Sequence, residues 1–172
     1  PKSIHEKAKH YEPLPTGFRM TPHTPSKNSS PYQFLGQAGS PVLTTIDFYL
    51  PNIRVELIQS GDRWFLSRAM ITPITKDTCR MDFCAAWNVF RWIPFSKTIF
   101  RYFAVTFLNQ DKLAMERQSV GLRYHPPMML IDDADTPSRW YLKLKAAHLA
   151  AKQTGGVLDH PLKSPVTLRW RT

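Results

Sequence analysis

The sequence predicts an α+β domain in which a curved antiparallel sheet wraps around one long helix near the C-terminus. Two observations indicate this fold class. Closely spaced segments rich in β-branched and aromatic residues occupy 42–93, and strands joined by such short turns pair as an antiparallel meander. An apolar pattern with three- and four-residue spacing follows over 96–120 and is typical of a helix. The chain of 172 residues is long enough to bury one core.

A Pro-rich N-terminal segment, 1–41, precedes the predicted sheet. Residues 1–12 are polar and charged, and they predict a short solvated helix or a loop. Residues 13–41 are dense in proline and glycine, which excludes a long helix and favours extended, turning backbone. The antiparallel strands of the 42–93 region are then predicted at 42–50, 53–59, 63–72 and 78–90.

The long helix is predicted over 96–120. Ser96 is a suitable N-cap, and Gly121 is a suitable end signal. The apolar side chains on one stripe of this helix indicate that it is largely buried.

A last helix is predicted over 138–153, opened by Asp135 and closed by Gly155. The tail after Val157 shows no period that would assign an element. Together these segments predict a single domain, 1–172.

Composition and charge exclude several classes of protein. The net charge of +10 favours an acidic partner, but Lys and Arg are scattered rather than clustered among exposed aromatics, so nucleic-acid binding is not predicted. No apolar run is long enough for a membrane span. The two cysteines, Cys79 and Cys84, are too few for a disulfide scaffold or a four-thiolate metal site and are predicted to be buried. The start at Pro1 lacks an initiator Met and a signal-peptide core, which indicates a piece of a longer, non-secreted protein.

Asp111 is the most informative residue for chemistry, because it lies on the apolar stripe of the long helix. An unpaired carboxylate on a buried face would cost several kcal/mol, so it needs a cation, a hydrogen-bond network or a metal. Two interpretations stay open from the pattern alone. Asp111 is either an acid paired with Lys or Arg, or a metal ligand or general base.

His5 and His10 could complete a two-histidine, one-carboxylate iron site with Asp111. The opposing interpretation is that both belong to a solvated face, because Lys and Glu residues surround them. A spacing of five also separates two side chains by well over 100° on an ideal helix.

The segment from Phe107 to Gln118 (FLNQDKLAMERQ) resembles a helix of Rieske-type non-haem iron oxygenases, especially the pheophorbide a oxygenase-like branch. In that family the pattern x-Gln-Asp-x4-Glu-x-Gln carries the single iron-binding carboxylate, and Gln110, Asp111, Glu116 and Gln118 match it in register. Two further segments, Tyr11–Met20 (YEPLPTGFRM) and Asp135–Lys143 (DTPSRWYLK), also resemble the family. The resemblance covers about 11–150.

The chain departs from the family pattern at its N-terminal side. The Cys-x-His and Cys-x-x-His motifs of a Rieske domain are absent from the sequence. The family histidines occur as Asp-x-x-His-x4-His, whereas Lys2 stands at the Asp position before His5 and His10. The resemblance therefore implies Asp111 as a metal ligand, and it carries over to His5 and His10 only weakly. We expect the true iron histidines upstream of Pro1.

The resemblance implies a START-like helix-grip fold, with a seven-stranded curved sheet around the long helix and an apolar pocket. It implies Fe(II) at a two-His, one-Asp site and a [2Fe–2S] cluster in a missing N-terminal domain. The implied activity is O2-dependent oxidation of a large hydrophobic substrate, such as a chlorophyll-derived ring. A ferredoxin or reductase would supply electrons, and a homotrimer and a cytoplasmic or thylakoid-associated location are expected. The alternative function is a non-catalytic START-like carrier of an apolar ligand.

Overall fold

The chain folds as an α+β protein with a seven-stranded antiparallel sheet and two C-terminal helices. The computed structural model describes residues 6–24, 35–90, 92–127 and 129–171. In chain order the described elements are β1 (Glu6–Leu14), β2 (Gly17–His23), β3 (Leu43–Tyr49), β4 (Ile53–Ser60), β5 (Arg63–Pro73), β6 (Cys79–Trp87), α1 (Ser96–Leu122), α2 (Thr136–Thr154) and β7 (Val166–Arg171).

The strand order is β6-β5-β4-β3-β2-β1-β7, and the sheet is neither closed nor strongly curled. Each of the first six strands pairs with its neighbour in sequence, because short turns connect most of them. The β1–β2 and β4–β5 turns are the shortest of these, since Leu14 pairs with Gly17 and Ser60 pairs with Arg63. In the second of them Gly61 adopts a φ of 55°. A left-handed φ of this kind favours glycine in a two-residue hairpin turn. The four strands predicted over 42–93 are thereby confirmed.

The prediction for residues 1–12 is wrong over its described part, because residues 6–12 belong to β1 and not to a helix or a loop. β1 lies between β2 and β7, and its charged residues pair with the other end of the chain: Glu6 lies opposite Arg171, and Lys9 opposite Leu168. β7 itself falls in the tail that showed no period. The pairing of β1 with β7 therefore stabilises two strands whose own sequences do not indicate them.

The prediction that the two cysteines are buried is also wrong. Cys79 and Cys84 are both exposed and free. They lie on β6, which is the last strand at one end of the sheet, so one side of this strand has no neighbouring strand. An edge position leaves its residues more accessible than a central strand would.

The core lies between α2 and one face of the sheet. The ring of Phe18 lies 5.7 Å from that of Trp140 and 5.3 Å from that of Phe48 (centroid distances), and Tyr11 lies 5.4 Å from Trp140. The Tyr141 hydroxyl donates a hydrogen bond of 2.6 Å to Asn52 Oδ1. Aromatic packing and this bond thus attach α2 to the strands β1–β3.

The described residues form two compact units, one from 1–89 with 130–171 and the other from 90–129. The first contains the sheet and α2. The second contains α1, in which none of the side chains is buried within the unit. The sequence predicts that this helix is largely buried, but contacts within the second unit do not bury it.

The ends of both helices lie close to their predicted positions. The N-cap position of α1 is held by Phe95, so Ser96 is the first helical residue and not the cap. α2 begins at Thr136, with Asp135 at the N-cap position, two residues before the predicted start. A proline in the first turn allows this extension. Gly155 ends α2 in the left-handed conformation, as predicted.

A partly buried ion pair lies on the sheet face opposite α2. Arg19 on β2 donates two hydrogen bonds of 2.7 Å to the carboxylate of Asp47 on β3, and the Tyr49 hydroxyl donates a third of 3.0 Å. The hydrogen bond from Arg19 lowers the pKa of Asp47, and burial opposes this effect. The pair therefore stabilises the β2–β3 contact only while Asp47 is ionised.

Asp47→Asn is expected to lower the free energy of unfolding by about 2 kcal/mol at pH 7, because hydrogen bonds to a charged group are lost. The folded-state pKa of Asp47 is depressed, so its contribution is present above the unfolded-state pKa. It is lost as the pH falls through the folded-state value. Urea denaturation at pH 7 and pH 3 measures both effects. The control is Asp82→Asn in the exposed Arg80–Asp82 pair, for which we expect a change of less than about 0.5 kcal/mol. Equal losses in both variants would contradict the prediction.

Candidate functional site

Asp111, the predicted metal ligand, lies in the middle of α1 with its side chain exposed within the second unit. It makes no side-chain hydrogen bond or ion pair with another residue of the described ranges. Its helical neighbours Lys112 and Glu116 form an ion pair of 3.7 Å that does not include it. Both carboxylate oxygens of Asp111 are therefore available to a ligand from outside the described residues.

Of the two histidines considered as its partners, only His10 is described. His5 lies outside the described residues. His10 lies on β1 in the first unit, where its Nδ1 is 2.9 Å from Thr167 Oγ1 on β7. Across the described ranges, no group of three His, Cys, Asp or Glu side chains has the arrangement of a metal site.

A second candidate site is a row of residues that crosses five strands on the face covered by α2. Cross-strand pairing places its members side by side, one from each of β2 to β6. We call this set the cross-sheet row; it consists of His23, Thr44, Ile58, Phe65 and Trp87. Its end on β5 and β6 is aromatic, since the rings of Phe65 and Trp87 stack with centroids 6.2 Å apart and an interplanar angle of 16°. Its end on β2 and β3 is polar.

The next row on the same face is partly made of short side chains. Glu56 on β4 pairs with Ser67 on β5, and Ser67 pairs with Ala85 on β6. The short side chains of Ser67 and Ala85 project less far from the sheet than the two stacked rings of the cross-sheet row do. This part of the face therefore carries two stacked rings next to residues with short side chains.

Two polar atoms distinguish the other end of the cross-sheet row. Thr44 is 4% exposed, and its hydroxyl oxygen has no hydrogen-bond partner within the described part of the chain. Next to it, His23 Nδ1 lies 3.1 Å from the Thr21 carbonyl oxygen. A carbonyl oxygen only accepts, so Nδ1 carries the proton and Nε2 of the neutral ring keeps its lone pair. The polar end thus offers one hydroxyl and one imidazole nitrogen.

Burial lowers the pKa of His23, because the charged ring loses solvation. The bond to the Thr21 carbonyl and the charge of Glu56 raise this pKa, while the charge of Lys9 lowers it. Burial and the nearby charge of Lys7 in turn lower the pKa of Lys9. His23 is therefore neutral at pH 7, which leaves Nε2 as an acceptor or a ligand atom.

The free energy of unfolding is expected to fall as the pH is lowered below about 6.5, the usual pKa of histidine. The fall continues until the pH has passed the lower pKa of His23 in the folded protein. In this range the unfolded chain binds more protons at this residue than the folded chain does. Urea denaturation between pH 5 and pH 7 measures the slope, and His23→Gln should make it shallower. An unchanged slope in this variant would show that His23 does not cause it.

A separate shallow cleft of about 170 Å³ lies at the β1–β7 end of the sheet. Its lining is polar and charged, and Arg169 contacts Glu6 across it at 3.3 Å. A large apolar molecule would find little complementary surface there.

Neither described helix is long and apolar enough to cross a membrane.

The sequence reasoning missed His23 and Thr44 as residues of one site. His23 falls in the Pro-rich segment 13–41, for which the sequence predicts turning backbone and no defined strand, but it belongs to β2. The β2–β3 register shifts between Met20 and His23, and this shift hides the alternation that would have indicated a strand. Nothing in the sequence around Thr44 signals that its hydroxyl is left without a partner.

No protein-family model, curated protein or solved structure is significantly similar to this chain. The fold class therefore stands on the structure itself, and the resemblance to Rieske-type oxygenases stays a prediction.

Proposed function

We propose that this chain is the C-terminal, iron-binding catalytic portion of a Rieske-type oxygenase that oxidises a large hydrophobic substrate. The observation that carries the proposal is Asp111, an exposed and unpaired carboxylate on α1 within the Gln110-Asp111 motif. A seven-stranded antiparallel sheet with two helices between its sixth and seventh strands agrees with the fold that the motif implies. The proposal includes the helix-grip arrangement, in which the sheet curves around α1.

The described residues fit one of the three ligand positions of the implied Fe(II) site. Asp111 supplies an oxygen ligand of the kind found in two-histidine, one-carboxylate sites. His10 is not assigned to a second position in our proposal, because its Nδ1 contacts Thr167 Oγ1 on β7. In our proposal the two iron histidines and the [2Fe–2S] domain precede Pro1 in the complete polypeptide. A bound Fe(II) would supply open positions for O2, with electrons from a ferredoxin or reductase, in a homotrimer.

The cross-sheet row supports a hydrophobic substrate. Phe65 and Trp87 provide a stacked aromatic pair, and Ser67 and Ala85 with their short side chains lie in the next row. At the other end, an unsatisfied buried hydroxyl costs about 1–3 kcal/mol, so Thr44 favours a polar partner from outside the described residues. A largely apolar molecule with one hydrogen-bonding group matches both ends.

Anaerobic Fe(II) binding tests the proposal, on the polypeptide encoded by the uninterrupted reading frame that contains this chain. The wild type should bind mononuclear Fe(II), and Asp111→Ala should weaken its affinity by at least about 100-fold, since even outer-shell partners contribute 10–100-fold. Asn109→Ala is the matched control, because it removes a polar side chain from the same exposed helix. Equal Fe(II) affinity in both variants, or no Fe(II) binding by the wild type, would rule out the proposal.

The second candidate function is a carrier that holds an apolar ligand without chemistry. The stacked, half-buried pair Phe65–Trp87 favours it, because an aromatic surface binds apolar molecules with or without iron. A carrier should bind an apolar fluorescent probe with equal affinity in the wild type and Asp111→Ala, and lose it in Trp87→Ala. Probe binding without any Fe(II) site would select the carrier over the oxygenase.

A further inference from the structure

The second unit exposes a set of large apolar side chains next to the start of α1. Trp92 and Phe95 are 82% and 80% exposed, and Tyr102 is 71% exposed. Ile99 lies between them and is half exposed. We call these four residues the aromatic line. Ile99 and Tyr102 are three residues apart, so they lie on one side of α1. Trp92 and Phe95 lie in the turns that lead into this helix.

An ordered backbone presents the aromatic line. Successive turns join the segment before the helix to the first helical turn, through the bonds Ile93 N to Phe90 O (3.1 Å), Ser96 N to Ile93 O (3.3 Å) and Thr98 N to Phe95 O (2.9 Å). Phe95 itself adopts a φ of 62° at the N-cap position. Trp92 and Phe95 therefore lie in hydrogen-bonded turns that lead directly into the helix.

The aromatic line adjoins the predicted apolar stripe but lies away from Asp111. Tyr102 and Asp111 are nine positions apart, and each position corresponds to a rotation of about 100° on an α-helix, so these two residues lie on opposite sides of α1. The ring of Tyr102 contacts that of Phe103, with centroids 6.0 Å apart. A surface bound to the side that carries Asp111 would therefore leave Tyr102 uncovered.

The charge around the aromatic line is of one sign. Lys97 and Arg101 are exposed on the same helical turns. Between Phe83 and Gln110 the sequence contains no Asp or Glu. Lys97 and Arg101 are each two positions from Ile99, so they do not share its side of the helix. The segment as a whole combines exposed aromatic side chains with positive charge, which is complementary to a surface with an apolar interior and anionic groups outside.

We propose that the aromatic line binds the surface of an anionic lipid bilayer, in the plane of the interface. Trp and Tyr favour the headgroup region because their rings are apolar and their N–H or O–H groups stay hydrated. Lys97 and Arg101 add attraction to anionic headgroups. A second copy of this chain is a less suitable occupant, since each copy carries a net charge of +10. The proposal is independent of the oxygenase activity.

Co-sedimentation of the full chain with vesicles tests the proposal. Binding should be strong with phosphatidylcholine mixed with phosphatidylglycerol, and weak with phosphatidylcholine alone. The double variant Lys97→Gln, Arg101→Gln should lose about fivefold in affinity for each side chain. Trp92→Ala, Phe95→Ala should lose more than about tenfold, because two large side chains no longer enter the interface. Wild-type affinity in both double variants would overturn the proposal.

Two exposed positions outside the line are matched controls: Tyr124→Ala in the same unit and Lys76→Gln on the β5–β6 turn should bind as the wild type does.

Quenching of tryptophan fluorescence by brominated lipid is a second test, which does not depend on an alanine variant. It should be strong in the wild type and largely lost in Trp92→Phe, and equal quenching would overturn the proposal. Sedimentation velocity identifies the competing occupant. A dimer that Trp92→Ala disrupts, without vesicle binding, would also overturn it.

Discussion

Gly17→Ala is expected to reduce the free energy of unfolding more than any other small substitution on the sheet. A Cβ at this position would stand 1.8 Å from the Phe48 carbonyl oxygen and 3.1 Å from the Tyr49 Cα. Both are backbone atoms of β3, so no side chain can move aside. β2 and β3 would have to separate, and the bond of 2.7 Å between the Gly17 carbonyl and His160 Nε2 would be strained as well. We expect a loss of more than about 4 kcal/mol, which lies in the rare upper tail for single substitutions.

Denaturation in urea, together with the yield of soluble protein, measures this effect. Gly121→Ala is the matched control, because nothing lies within 4 Å of a Cβ built at this position near the end of α1. In a helix this change should raise the stability by up to about 1 kcal/mol. If both variants unfold at the same urea concentration, the close approach of β2 and β3 does not constrain the fold as described.

Phe18→Ala is expected to cost about 4 kcal/mol of unfolding free energy, in the range measured for buried aromatic residues replaced by alanine. Phe18 is only 7% exposed and contacts three other rings, those of Tyr11, Phe48 and Trp140, with centroids 5.3–6.4 Å away. Its removal leaves a cavity between the sheet and α2 that these rings cannot easily fill.

Thermal or urea unfolding, followed by circular dichroism, gives the loss for Phe18→Ala directly. Tyr124→Ala removes a ring that is 83% exposed, and a surface substitution of this kind should change the stability by less than about 0.5 kcal/mol. A similar small change in Phe18→Ala would mean that the contact between α2 and the sheet is not the main core of the first unit.

The sequence predicted the central strands well because their signals are local. β3 to β6 each carry their own β-branched and aromatic pattern between nearby turns, and the structure confirms all four within two or three residues. β1 and β7 could not be predicted in this way. The charged pattern around Lys7 is compatible with a strand only because Trp170 lies opposite it, far along the chain. Such pairing is a property of the fold and not of either segment.

The candidate site was predictable only in part for a similar reason. Asp111 could be identified because a motif of adjacent residues surrounds it, and the structure confirms that it lies on a helix. The cross-sheet row, in contrast, takes one residue from each of five strands. His23 and Trp87 have no sequence relation that would connect them, and only the strand registers place them on one line.

The spacing of the strands also fixes the distance between the two ends of the cross-sheet row. Adjacent strands lie about 4.8 Å apart, so five strands span about 19 Å from His23 to Trp87. A molecule bound along the row would lie across the strands, and its reach would be fixed by backbone hydrogen bonds and not by any one side chain. Substitutions in the row would thus alter which groups are recognised at a given position. A change in the distance between the polar and aromatic ends would require a strand to be gained or lost.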